Sequence, residues 1–77
     1  MTDNKGRKII AIYPIAYDAA YCIYNISDDN ESVYTTYTWC GKFAKRTRNK
    51  LLYDRYGNLY FRKDGKQFYL NDFMKID

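Results

Sequence analysis

Seventy-seven residues with a formal charge of +4 bound one small domain. A domain of that size hides about 60% of the surface its unfolded chain exposes. Ten tyrosines are more than such an interior can hold with every hydroxyl satisfied, so several stand at the surface. Two cysteines and no histidine exclude the usual four-ligand zinc site and remove the customary residue of acid–base catalysis at neutral pH.

In chain order, Met1 to Lys8 is polar and reads as a flexible end, residues 1–7 above all. The β-branched run "KIIAIY" (8–13) predicts a first strand, which Pro14 ends or places at an edge. "AAYCIYNI" (19–26) has tyrosines at helical spacing, but its residue types favour a strand over a helix. The turn cluster "SDDNES" then leads into an evident strand, "SVYTTYTW" (32–39). If the two pair around Asp29 and Asn30, Cys22 faces Thr36 and Tyr37, and Cys40 lies too far along for a disulfide. "GKFAKRTRNK" (41–50) is a basic connector, either a loop or one short helix. Strands follow at "KLLYD" (50–54), "NLYFRK" (58–63) and "KQFYL" (66–70), and "NDFMKID" closes the chain with one helical turn. The expected fold is all-β or mostly β: a small antiparallel sheet or partly open barrel of five to six strands, with room for one short helix.

Asp64-Gly65 is a strong signal for a two-residue hairpin. It sets Lys63 opposite Lys66, Arg62 opposite Gln67, Phe61 opposite Phe68, Tyr60 opposite Tyr69 and Leu59 opposite Leu70. Alternation then gives one apolar side, Leu59, Phe61, Phe68 and Leu70, and one side with Tyr60, Tyr69, Arg62 and Gln67. A four-residue loop at "RYGN" (55–58) extends the pattern, pairing Tyr53 with Tyr60 and Leu52 with Phe61. That register makes Tyr53, Tyr60 and Tyr69 one phenolic row with Leu51 and Arg62 beside it. Strands one to three either cover this row or leave it open as a platform.

Charge is unevenly spread. Residues 42–66 carry nine basic side chains against Asp54 and Asp64, while the segments on either side are slightly acidic. No Gly-rich phosphate loop is present, and neither cysteine has an activating base. Asp28, Asp29 and Glu31 lack calcium-loop spacing and read as a solvated turn. The residues thus point to binding rather than catalysis, with no cofactor and no metal. Aromatic rings that stack bases, with cations that neutralise phosphates, form the general recipe for single-stranded nucleic acid. Tyr53, Tyr60, Tyr69 and Arg62 are the candidate platform, and Lys42, Lys45, Arg46, Arg48 and Lys50 its electrostatic rim. The rival reading is a protein–protein module that uses a Tyr- and Arg-rich hot spot or edge-strand pairing, homodimerisation included.

The small size, the tyrosine abundance and the segment "DRYGNLYFRKDGKQFYLNDFM" (54–74) resemble small accessory proteins of phages and prophages, anti-CRISPR and other anti-defence proteins among them. That class has no shared motif, so it assigns no residue a role. The resemblance implies a stoichiometric inhibitor of a nucleic-acid-handling complex, or a protein that sequesters a nucleotide signal. Mimicry of DNA does not suit a basic chain. The sequence predicts neither a signal peptide nor a membrane span, and reduced thiols suit the cytoplasm.

Overall fold

Asp64 and Gly65 both stand at positive φ, 54° and 73°, as a type I′ turn demands. Around that hairpin, a computed structural model that describes residues 1–76 arranges nine strands and no α-helix among the described residues. Ala11–Ala16 (β1), Ala19–Ile26 (β2) and Ser32–Trp39 (β3) form a meander. Lys42–Phe43 (β4) and Thr47–Lys50 (β5) share one edge of β3, β4 opposite Thr38 and Trp39 and β5 opposite Ser32 to Thr35. Met74–Lys75 (β9) pairs with Ala11 and Ile12, which completes an antiparallel sheet of six strands. Leu52–Tyr53 (β6), Leu59–Lys63 (β7) and Lys66–Tyr69 (β8) make a second antiparallel sheet of three. The fold is mostly β, as the patterning predicts, and it does not close into a barrel.

The two sheets are packed by alternation. Ala11, Tyr21, Ile23 and Val33 of the large sheet meet Phe61, Phe68 and Phe73, with Leu51 at the corner where the chain passes from β5 to β6. Phe61 is fully buried and stacks on Phe68 at 5.5 Å, while Tyr21 lies 4.5 Å from Phe68 between ring centroids. Fully burying such a side chain contributes about 1.5–3 kcal/mol. Between the sheets runs a polar seam. Lys63 Nζ donates to Thr47 Oγ1 at 2.6 Å, and Thr35 Oγ1 donates to Asn49 Oδ1 at 2.7 Å. Burial pulls the Lys63 ammonium below its ordinary pKa.

The strand reading of residues 19–26 is the one the chain adopts, and Cys22 pairs with Thr36 as expected. Segment 41–50 is neither helix nor plain loop. It supplies β4 and β5, because the free edge of β3 gives their backbone groups partners that an isolated short helix would lack. The expected closing turn is a single 3-10 turn at Leu70–Asp72, followed by β9. Pro14 sits in β1 just past the last residue that β9 covers, where its missing N–H costs no bond on that side.

The hairpin register of β7 and β8 holds for Tyr60–Tyr69, Phe61–Phe68, Arg62–Gln67 and Lys63–Lys66. The register of β6 against β7 differs by one residue from the expected one. Leu52 faces Tyr60, and Tyr53 faces Leu59. The cause is the loop. Asp54 Oδ1 accepts the N–H groups of Tyr56 and Asn58, and the Asp54 N–H donates to the Asn58 carbonyl. With Gly57 at φ 81°, this leaves three residues in the loop rather than four.

Candidate functional site

That one-residue shift divides the expected platform. Tyr60 and Tyr69 remain neighbours on the outer face of the small sheet, 5.4 Å between ring centroids, both half-buried. Tyr53 follows Leu59 to the other side of its strand and stands exposed at the corner, and Leu51 is buried in the core rather than set beside the tyrosines. Arg62 is exposed and donates to Gln67 Oε1 at 3.3 Å, and Gln67 Nε2 donates to the Tyr69 hydroxyl at 3.1 Å. Asp54 lies on this face as well. Burial raises the Tyr69 pKa first, and the bond to Asp54 adds to it. A carboxylate and an engaged hydroxyl make this face a poor seat for a phosphate chain.

The basic connector is placed elsewhere. Tyr34 pairs with Arg48 and Ser32 with Lys50, so both cations point out of the large sheet on the side away from the small one. Arg46 lies over Tyr34 on that side, its guanidinium carbon 4.2 Å from the ring centroid, and also over Tyr24 at 5.6 Å. Arg48 approaches the Tyr34 ring at 6.0 Å and donates from Nε to Ser32 Oγ at 2.9 Å. Its contact with Asp29, at 3.8 Å between half-exposed side chains, is a surface pair of about 0–1 kcal/mol. Lys42, by contrast, pairs with Trp39 at the far tip of β3, and Lys45 stands exposed in the link between β4 and β5.

Tyr24 shares this outer face with Cys22 by alternation, and a bulge falls at it. Pairing runs from Ile23–Thr35 to Asn25–Tyr34, which leaves Tyr24 as the extra residue beside Tyr34. Its ring is buried, and its hydroxyl donates to Asp3 Oδ2 at 2.6 Å. Asp3 also accepts from the backbone N–H of Lys5 and of Arg7, both at 2.9 Å, and from Arg7 Nε at 2.8 Å. Burial acts to raise the Asp3 pKa, but these donors outweigh it and hold the carboxyl well below the usual range. The N-terminal octet, whose composition predicts a flexible end, is thereby folded onto the Tyr24 ring, and Arg7 sits 5.4 Å above it.

Two depressions flank the line of cations. One, of about 590 Å³, is lined by Asn30, Glu31, Ser32, Arg48, Lys50, Leu51 and Tyr53. The other, of about 390 Å³, is lined by Arg7, Lys8, Ile10, Tyr24, Asn25 and Arg46. Of the residues singled out in the sequence, Arg46, Arg48, Lys50 and Tyr53 come together here. Arg7, Lys8, Tyr24 and Tyr34 join them without having been singled out. The alternation of Tyr34 with core residues and the Asp3-to-Arg7 spacing are the signals that mark them.

Both thiols are free. Burial pushes the Cys22 pKa up to about 11. Cys40 donates from Sγ to Asp18 Oδ2 at 2.8 Å, which raises its pKa and braces two hairpin tips that carry the exposed rings of Tyr17 and Trp39. No family model, curated protein or solved structure matches this chain.

Proposed function

We propose that the chain is a non-enzymatic binding module for single-stranded nucleic acid. The observation that carries this reading is the alternation of Arg48 and Lys50 along one outward face of β5, with Arg46 over Tyr34 just before the strand and the exposed ring of Tyr53 beyond it. Alternate residues of a strand lie about 6.6 Å apart, so Arg48 and Lys50, with Arg46 ahead of them, form a track rather than a point. A track of this kind neutralises successive phosphates without reading sequence, and a ring at its end stacks a base for about 1–3 kcal/mol. Tyr24 and Tyr34 serve differently from the expected stacking rings. They hold guanidinium groups in place. The inhibitory role implied by the likeness to phage anti-defence proteins would act through the same face, by competing for the strand that a defence complex holds.

The test is fluorescence anisotropy with a labelled single-stranded oligonucleotide. Arg48→Glu combined with Lys50→Glu weakens binding by about tenfold or more and leaves stability within about 1 kcal/mol. Unchanged affinity removes the track.

A protein partner is the second reading, favoured by one observation. Tyr17 is fully exposed and Trp39 more than half exposed on neighbouring tips held together by Cys40 and Asp18. These are hot-spot residue types on a braced support. A partner seated there shifts the emission of Trp39, the single tryptophan of the chain, whereas a strand on the track leaves it unchanged.

A further inference from the structure

We infer that the depression between Arg7, Lys8 and Arg46 is a site for a terminal phosphate monoester, so that the strand on the track is held by one of its ends. The inference rests on the proposed function, and its observations are separate ones. Arg46 makes no hydrogen bond and no ion pair among the described residues, and its Nε is buried without a partner. Two tyrosine rings fix its position, at 4.2 and 5.6 Å, so the group is ordered but its charge is unanswered. A guanidinium in that state lacks one thing, an anion with several acceptor oxygens.

The neighbours supply the rest of the site. Arg7 commits Nε to Asp3, and its two terminal nitrogens have no partner among the described residues. Lys8 lines the same depression, exposed and unpaired among the described residues. Asp3, the carboxylate near them among the described residues, is buried and already accepts from Tyr24, Arg7 and Lys5, so it does not compete for the incoming ligand. Among the described residues, no acidic side chain lines the depression. Three cations that line one depression, with no opposing carboxylate among the described residues, suit a dianion better than the single charge of a phosphodiester. A terminal phosphate monoester carries about −1.5 to −2 at neutral pH. Arg46 and Arg48 both approach the Tyr34 ring, so a strand that ends in the depression continues past Arg48 and Lys50.

The experiment compares short single-stranded thymidine oligonucleotides that carry a terminal phosphate at one end, at the other, or at neither. The expected result is about tenfold tighter binding for one phosphorylated form over the unphosphorylated strand. Lys8→Gln reduces that ratio toward one, whereas Lys66→Gln, at the exposed hairpin turn, leaves it unaltered. A purely structural role for these cations moves stability and not the ratio. Equal affinities for all three strands overturn the phosphate site and leave the track standing. If no strand binds in any form, the proposed function fails, and the depression is judged by inorganic phosphate alone. Amide shifts at Arg7, Lys8 and Arg46 on titration with phosphate then uphold the site, and their absence overturns it.

Discussion

Replacing Arg48 with glutamine removes one cation of the track while keeping a long polar side chain that can still reach Ser32. Its consequence for salt dependence follows from the placement of charges. Arg46, Arg48, Lys50 and Lys8 line the basic face without a tight carboxylate partner among the described residues, which sets the number of neutralised phosphates near four. For a single strand, the slope of log K against log salt is then about −2.8, and Arg48→Gln brings it to about −2.1. Between about 50 and 200 mM salt, the native chain loses about fiftyfold in affinity and the variant about twentyfold. Lys42→Gln is the companion measurement. Lys42 belongs to the same basic run in sequence, but it pairs with Trp39, five residues along β3 from the partner of Arg48, about 17 Å at strand rise. Its removal leaves the slope near −2.8. Anisotropy titrations at four salt concentrations measure all three slopes. If Lys42→Gln and Arg48→Gln lower the slope equally, the basic run acts as diffuse charge and the geometric track is refuted.

Three further outcomes test the scaffold. Phe61→Ala removes a fully buried ring that stacks on Phe68 and packs at a tilt against Phe73, and it costs about 3–5 kcal/mol in urea unfolding; a loss below about 1 kcal/mol contradicts a core shared by both sheets. Asp3 has a lowered pKa, so its contribution is present above its ordinary value of 3.8 and is lost as pH falls below it. Melting temperatures of the native chain and Asp3→Asn therefore differ at about pH 6 and converge toward about pH 2; a gap that stays constant refutes the clasp. Tyr21 is pushed up to about 12, by burial first and then by its bond to Asp64, so its contribution is complete below 10.0 and disappears as pH rises from there toward 12. Tyr21→Phe consequently loses less stability than the native chain across that alkaline window, as circular dichroism at stepped pH will show, and equal losses contradict the assignment.

The hairpin of β7 and β8 was legible residue by residue, because Asp64-Gly65 permits one turn type and the turn fixes the pairing. One turn earlier, the reading slipped. "RYGN" is compatible with loops of several lengths, and the choice among them is made by Asp54, whose side chain collects the Tyr56 and Asn58 amides before the strand begins. A slip of one residue moves every side chain to the opposite face, which is why Tyr53 leaves Tyr60 and Tyr69. The cations were legible as a run but not as a surface. Periodicity in 42–50 is too short to declare a strand, and only the free edge of β3 makes Arg48 and Lys50 point the same way. The contributions of Arg7 and Lys8 were hidden for another reason: the order of the N-terminal octet comes from Tyr24, which lies 21 residues from Asp3 along the chain.

The pairing of β9 with β1 ties Met74 and Lys75 to Ile12 and Ala11, and the core beneath it mixes Ala11 and Ile23 with Phe61, Phe68 and Phe73. A ribosome therefore releases the meander long before the rings that cover it. Until residue 73 has emerged, the apolar side of the first three strands has no lid, and the flank of β1 offers its amides to any passing strand. Closure of the core is accordingly a late event, because Phe73 and β9 come after every other element of it. A chain stalled before Phe73 keeps that apolar side bare and is an aggregation hazard rather than a smaller working domain.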